Sequence, residues 1–205
     1  MKRSFIILAL SVLAAVAWAE GDTIVDEWAT VQAPPPPALV APSFEPSTTA
    51  LLLLDFQGRI IGGRPRLAAT VPRVERLLRF ARSEGILVAY SLAGQAGPDS
   101  IVAALRPSPV DHIVRASVDK FHGTDLETYL KSKGIHTLIV TGLVTEGAVL
   151  GTSIGACLRG FKVIVPVDGT ASTELYAEQY VAWHLLNAPA VRGNVSLTKI
   201  DLIVH

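Results

Sequence analysis

Three stretches of this chain place reactive residue types where chemistry could be done. Ala50-Leu-Leu-Leu-Leu54 runs directly into Asp55, followed by Phe56 and Gln57. A carboxylate at the end of a buried strand is partly stripped of water, which suits it to proton transfer; an aspartate that merely caps a loop occupies such positions equally often. A cation comes from Arg115-Ala-Ser-Val-Asp-Lys120-Phe121-His122-Gly-Thr-Asp-Leu126. Arg115 or Lys120 could hold a nearby carboxylate ionised or stabilise an anion, or either could be a solvated surface charge. His122 lies in the loop beside Lys120. The third stretch, Thr137 to Thr152, reads as a buried strand, a glycine-rich turn and the start of a helix. Gly142 and Gly147 allow close backbone approach or positive φ, and the amides at such a turn favour negative charge. Glu146 could bind substrate or cap the helix.

Other chemistries are poorly supplied. The single cysteine, Cys157, excludes an intrachain disulfide and a multi-cysteine zinc site. It follows Ala148 by nine residues, about two and a half helical turns, and reads as core packing. The five histidines show no metal-ligand spacing, so neither metal nor cofactor is expected. His184 reads as a helix-surface or interface residue. Formal net charge is zero with no basic block, which argues against nucleic acid as a partner. Asn194-Val-Ser196 is a glycosylation sequon.

The elements that must position these residues follow from hydrophobic patterning. Lys2-Arg3, the apolar run Phe5 to Val16 and the small-residue triplet Ala17-Trp18-Ala19 read as a signal peptide over residues 1–19, implying a secreted or periplasmic protein. Its apolar core falls short of the roughly 20 residues a membrane span needs. Four consecutive prolines, 34–37, with Pro42 and Pro46, make residues 20–46 an extended proline-rich arm. Residues 47–205 then form one domain, long enough to bury a full core. Mean hydropathy is +0.42, and much of it lies in continuous apolar runs: Ala50–Leu54, Gly85–Ser91, His136–Thr141 and Phe161–Val167. Runs without alternation suit central strands of a parallel sheet covered on both faces.

Helical patterns lie between them. Val71–Ser83 gathers Val71, Val74, Leu77, Leu78 and Ala81 on one face. Thr124 and Glu127 could form a capping box over Thr124–Lys133. Gly147–Arg159 and Ser172–Asn187 complete the helices, and Val195–Val204 reads as a last strand. The alternation predicts an α/β fold, a three-layer α/β/α sandwich around a mainly parallel sheet. Ligands in such folds bind beyond the carboxyl ends of the strands. Asp55, Gly142–Gly147, and Asp168 with Gly169 should share that edge.

Taken together, Leu-Leu-Leu-Asp55-Phe-Gln, Phe121-His-Gly-Thr-Asp-Leu, Val140-Thr-Gly-Leu-Val-Thr and Val167-Asp168 resemble the isochorismatase-like (cysteine hydrolase) superfamily over about residues 47 to 203. The resemblance implies a Rossmann-like fold and hydrolysis of a small molecule by an aspartate, a lysine and a cysteine, with backbone amides binding the oxyanion. Asp55 matches the aspartate. The oxyanion donors would come from the turn near Val144, Gly147 and Ala148, and the cis peptide frequent in the family would fall at Leu143–Val144. Phe56, Gln57, Phe121, His122 and Glu146 would be substrate-binding. Two departures stand out. Ala148 occupies the cysteine slot, and an alanine methyl cannot form a thioester. The usual lysine position falls on Arg115, with Lys120 displaced next to Phe121; arginine and lysine are not interchangeable there. Family members often pair through helices flanking the site, so a homo-oligomer is expected, with Leu143, Val149 and Trp183 as interface or core residues.

Members of the family that lack the cysteine carry glycine there and act on a vinyl ether with water as nucleophile. The resemblance therefore implies a secreted, thiol-free hydrolase in which Asp55 does acid/base work with Lys120 or Arg115 as partner. The alternative is an inactive small-molecule-binding protein of the same fold. Asp55 closed off by an ion pair, with Phe56 or Phe121 filling the pocket, would favour that alternative.

Overall fold

The computed structural model describes residues 23–204; the expected signal peptide and His205 lie outside the described residues. Residues up to Pro34 and from Pro35 onward form two separate units. In the first, Thr23 caps the single-turn helix α1 (Ile24–Glu27) through a reciprocal bond with Asp26. Those bonds hold the Asp26 carboxyl below its ordinary range.

The second unit carries seven strands: β1 (Thr49–Leu54), β2 (Leu87–Leu92), β3 (His112–Arg115), β4 (Thr137–Leu143), β5 (Lys162–Pro166), β6 (Thr170–Ala171) and β7 (Val195–Thr198). Their order is β3-β2-β1-β4-β5-β7, with β6 added beside the end of β4, and every pairing is parallel. The intervening helices are α2 (Gly58–Ile61), α3 (Pro65–Ala68), α4 (Val71–Ser83), α5 (Leu126–Ser132), α6 (Leu150–Leu158) and α7 (Leu175–Asn187).

The leucine run of β1 explains the layering. Successive side chains of a strand point to opposite faces. Ala50, Leu52 and Leu54 enter one core with Leu126 and Leu130 of α5, Ala156 of α6, and Val181 and Leu185 of α7. Leu51 and Leu53 enter the other with Ile61, Leu67 and the Val74, Leu77, Leu78, Ala81 face of α4. All six residues of β1 are buried, so a polar residue in either set would sit unsatisfied. The result is the three-layer α/β/α sandwich expected from the runs, with a wholly parallel sheet.

The structure departs from expectation at several places. β3 lies at the sheet edge and has only one buried residue, so it carries no apolar run to read. The last strand stops at Thr198; Ile200 and Ile203 turn inward to plug the second core, and the Ile200 N–H donates to Asp168 Oδ1 at 2.9 Å. The expected capping box of α5 does not form. Thr124 Oγ1 instead donates to the Lys120 carbonyl at 2.6 Å, and Glu127 turns to Lys131 (2.6 Å) and Arg159 (3.0 Å). Those bonds, Lys131 first, lower the Glu127 carboxyl. Ser172 lies short of α7, which starts at Leu175. Part of the proline-rich arm runs along the domain: the Val40 N–H donates to the Leu197 carbonyl at 3.1 Å, and Pro36, Pro37 and Leu39 border a mostly apolar pocket shared with Val181, Ala182 and Leu185 of α7 and Leu197 of β7. Of the expected interface residues, Leu143 and Val149 are buried in the two cores, while Trp183 is 46% exposed on α7.

Candidate active site

Strand register brings the reactive groups together. Leu54, the last residue of β1, pairs with Ser91 on one side and Gly142 on the other. Leu92 in turn pairs with Arg115. One row across the carboxyl edge therefore presents the residues that follow β1, β2, β3 and β4. Gly142 is required here: a Cβ would lie 2.5 Å from Leu54 Cβ and 2.9 Å from its carbonyl oxygen.

Asp55 leaves β1 at φ 59, a left-handed conformation that Asp and Asn tolerate better than most side chains. Its carboxylate is almost wholly buried. Oδ1 accepts from Ser91 Oγ at 2.6 Å, and Oδ2 accepts from Lys120 Nζ at 2.7 Å. Lys120 is completely buried. Its ammonium also donates to the Ala116 carbonyl at 3.3 Å and to the Ser117 carbonyl, so its three protons are all engaged.

Two helical glycines seat the loop that delivers Lys120. A Cβ at Gly151 would come within 2.5 Å of Val118 Cγ1, and one at Gly155 within 2.5 Å of Asp119 Oδ1. Without side chains there, residues 116–120 lie flat on α6. Between the glycines, Thr152 Oγ1 accepts from the Lys120 N–H and donates to the Val118 carbonyl, both at 3.3 Å. The small-residue face of α6 thus positions a lysine for which the sequence alone allowed two candidates.

The third component is the turn after β4. The Leu143–Val144 peptide is cis, and Thr145–Val149 form one π-helical turn leading into α6. The Thr145 N–H donates to Ser172 Oγ at 2.9 Å, and Ser172 Oγ donates to Glu146.

These parts enclose an open cavity of about 730 Å³. Of the candidate residues, Asp55, Arg115, Val144, Gly147 and Ala148 line it, together with Ala116–Val118, Leu143 and Thr173, while Lys120 lies buried behind Asp55. The five expected substrate-binding residues do not line it. Phe56 is 1% exposed in the second core. Gln57 is a buried strut, accepting from the Ala93 N–H at 2.8 Å and donating to Ser100 Oγ at 3.0 Å. Phe121 stacks on Phe161 at 5.8 Å beneath the Arg159 guanidinium. His122 is exposed away from the cavity, and Glu146 is tied to Ser172. Arg115 reaches the cavity but not Asp55; it donates to the Ala96 carbonyl at 2.9 Å and to the Gly94 carbonyl. Asp168 shares the sheet edge but accepts from Ile200 instead of lining the cavity. Cys157 is buried in the first core, away from the cavity, and burial pushes its thiol up to about 11.

Among the lining residues that sequence reading missed, two are charged, Arg59 and Arg64. Both lie within ten residues of Asp55, in the segment that follows its strand. That is the signal that could have found them, since residues just beyond a carboxyl strand end face the ligand crevice.

An Isochorismatase domain matches residues 49–192, most of the described chain. The chain belongs to the isochorismatase family. Over 142 residues it is 31% identical to a streptothricin hydrolase of Streptomyces noursei, covering 62% of this chain and 51% of that protein. It is 28% identical over 162 residues to an N-carbamoylsarcosine amidase of Arthrobacter sp, covering 65% and 60%. The chain thus spans between half and two thirds of the length of these relatives. An isochorismatase-like hydrolase from Alkaliphilus metalliredigens shares the fold with a TM-score of 0.67 and 23% identity, over 75% of this chain and 87% of that one.

Proposed function

We propose that the cavity is the active site of an isochorismatase-family hydrolase that cleaves a small molecule without a thiol. The observation that carries the reading is Asp55 at the wall of an open cavity, backed by the buried Lys120, with Ala148 in the nucleophile slot on the same wall. In this reading water attacks the electrophilic carbon of the substrate. Asp55 takes the proton from that water and returns it to the leaving nitrogen or oxygen as the bond breaks. The backbone amides of Val144 and Ala148 hold the negative charge that develops on the substrate oxygen. Lys120 fixes the Asp55 carboxylate, aligned by Ser91 from the other side. Export of the protein, suggested by its N-terminal residues, would give it an extracytoplasmic substrate.

A second reading, an inactive binding protein, has one observation in its favour: both Asp55 oxygens are already bonded within the protein. The expected companion of that reading, a pocket filled by Phe56 or Phe121, is not found, since both side chains belong to the cores.

The test is turnover by the full chain, followed by mass spectrometry, on isochorismate, nicotinamide, N-carbamoylsarcosine, a streptothricin and simple amides. Asp55→Asn and Ala148→Cys are assayed in parallel. Asparagine keeps the left-handed backbone at position 55; because it leaves the buried Lys120 ammonium without its counter-charge, the fold of the variant is checked by circular dichroism alongside the assay. Native turnover that Asp55→Asn lowers by a factor of about 10²–10⁴ supports the thiol-free hydrolase. A silent native protein, with amidase activity appearing only in Ala148→Cys, would refute it for those substrates.

A further inference from the structure

We infer that the ligand of this cavity carries a carboxylate or phosphate-like anion, held by Arg59, Arg64 and Arg115. The inference rests on the cavity being the substrate site. It adds a recognition set that the acid/base reading does not contain.

The charge balance of the lining carries the argument. The chain as a whole is formally neutral, yet the lining of this cavity is not. The lining contains three arginines and a single carboxylate, Asp55. Lys120 already offsets that carboxylate at 2.7 Å. Three positive charges are left facing the cavity without compensation. Among the described residues none of the three makes an ion pair; Arg73, Arg106 and Arg192 make none either, but only Arg59, Arg64 and Arg115 face the cavity.

The guanidinium groups are nevertheless held in place. Arg59 Nη2 donates to the Ala93 carbonyl at 2.9 Å, and Arg115 Nη1 donates to the Gly94 and Ala96 carbonyls. Both therefore grip the loop that follows β2. Gly94 sits at φ 69, and a Cβ there would meet Arg59 Nη2 at 3.0 Å, so glycine leaves room for the guanidinium. Arg64 Nη1 donates to the Ile60 carbonyl in its own segment. A guanidinium carries five N–H donors in a planar fork matched to carboxylate and phosphate. Each of these bonds uses one nitrogen and leaves most of the fork unspent. Backbone carbonyls orient the groups without cancelling their charge, which is the arrangement an incoming anion needs. Clefts lined by one sign of charge also raise the local concentration of the opposite sign. A neutral ligand would leave all three charges unmatched. An anionic one would place its charged end on the arginines and its scissile bond toward Asp55 and Ala148.

The experiment is isothermal titration of the full chain with succinate, inorganic phosphate and the neutral analogue succinamide, at low and at raised potassium chloride. Succinate or phosphate should bind, weaken with salt, and outcompete succinamide by a factor of about ten or more. Which of the two binds more tightly separates carboxylate from phosphate recognition. Arg59→Gln and Arg115→Gln should each weaken binding about tenfold. Both substitutions could also loosen the β2 loop, so Arg64→Gln is the decisive variant. Its side chain bonds only within its own segment, and its loss should weaken anion binding about tenfold with an unchanged melting curve. Asp55→Asn should leave anion binding intact even where it abolishes turnover, so failure of the hydrolase reading and failure of this one are distinguishable. Equal binding of succinamide and succinate, or native anion affinity in Arg64→Gln together with the Arg59→Gln, Arg115→Gln double variant, would overturn the inference.

Discussion

Replacing Lys120 by methionine removes one half of a buried ion pair while nearly keeping its volume. In the native protein the Lys120 side chain is 0% exposed and that of Asp55 6%, so bulk water can rescue neither. Loss of the ammonium leaves the Asp55 carboxylate with a single donor, Ser91. It also leaves the Ala116 and Ser117 carbonyls without the partner they share. Breaking a buried pair from one side costs about 3–5 kcal/mol, mostly because a charge is left uncompensated. Against a total stability of about 5–15 kcal/mol this is a large fraction. Urea unfolding followed by circular dichroism should show the midpoint lowered by about 2 M, with the slope unchanged. The double variant Lys120→Met, Asp55→Asn removes the stranded charge and should recover a good part of the loss, giving a coupling of about 2 kcal/mol or more in the cycle. A single-variant loss below about 1 kcal/mol would place the pair among solvent-screened ion pairs and refute the claim that Asp55 is held by a dry, committed partner.

Other consequences are open to simple measurement. Gly142→Ala should destabilise by about 1–3 kcal/mol, because the added methyl meets a strand backbone that cannot yield. Gly97→Ala, at negative φ with nothing within 4 Å of the new methyl, should stay within about 0.5 kcal/mol; thermal melts of the two variants side by side check both. Cys157 sets an alkaline limit. Its folded value of about 11 lies above the ordinary 9.0, so between the two the unfolded thiol has lost its proton while the folded one keeps it. Stability from this group therefore falls as pH rises from about 9 to about 11. Cys157→Ala should flatten that decline in urea midpoints taken across the window, and a native thiol that reacted with a disulfide reagent as fast as a free one would contradict the burial.

The sheet was the most legible part of the chain, because β1, β4 and β5 are buried on both faces and are apolar along most of their length. Asp55 was legible for the same reason: a charge ending such a run has few places to go except the ligand edge. Its partner was not. Asp55 and Lys120 lie 65 residues apart, and only the way residues 116–120 lie across Gly151 and Gly155 decides that Lys120, and not Arg115, points inward. Local sequence does not encode that choice, since both cations precede the same helix. The aromatic and histidine candidates failed on a related ground. Phe56 follows Asp55 directly, but adjacent positions at a strand end face opposite ways, and it enters the second core; Phe121 and His122 lie in the turn beyond Lys120, where Phe121 enters the first core and His122 faces out. Arg59 and Arg64 escaped because an arginine in or beside a single-turn helix looks like any other surface charge until it is seen to face a cavity.

The cavity draws its two kinds of residue from different layers of the molecule. Asp55 and Lys120 are locked into the interior, where replacing either alone carries a heavy penalty. Arg59, Arg64 and Arg115 are exposed; a change at Arg64, which bonds only within its own segment, should alter stability by no more than about 0.5 kcal/mol, while Arg59 and Arg115 also brace the loop after β2 and still cost less than the buried pair. Mutational drift therefore meets unequal resistance across a single pocket. Variants that exchange the arginines can accumulate and be sampled against new compounds while the protein stays folded. Variants at the Asp55–Lys120 pair are purged for instability before any new activity can be selected. Under the proposed assignment, a scaffold built this way holds its reaction constant and lets its choice of substrate wander.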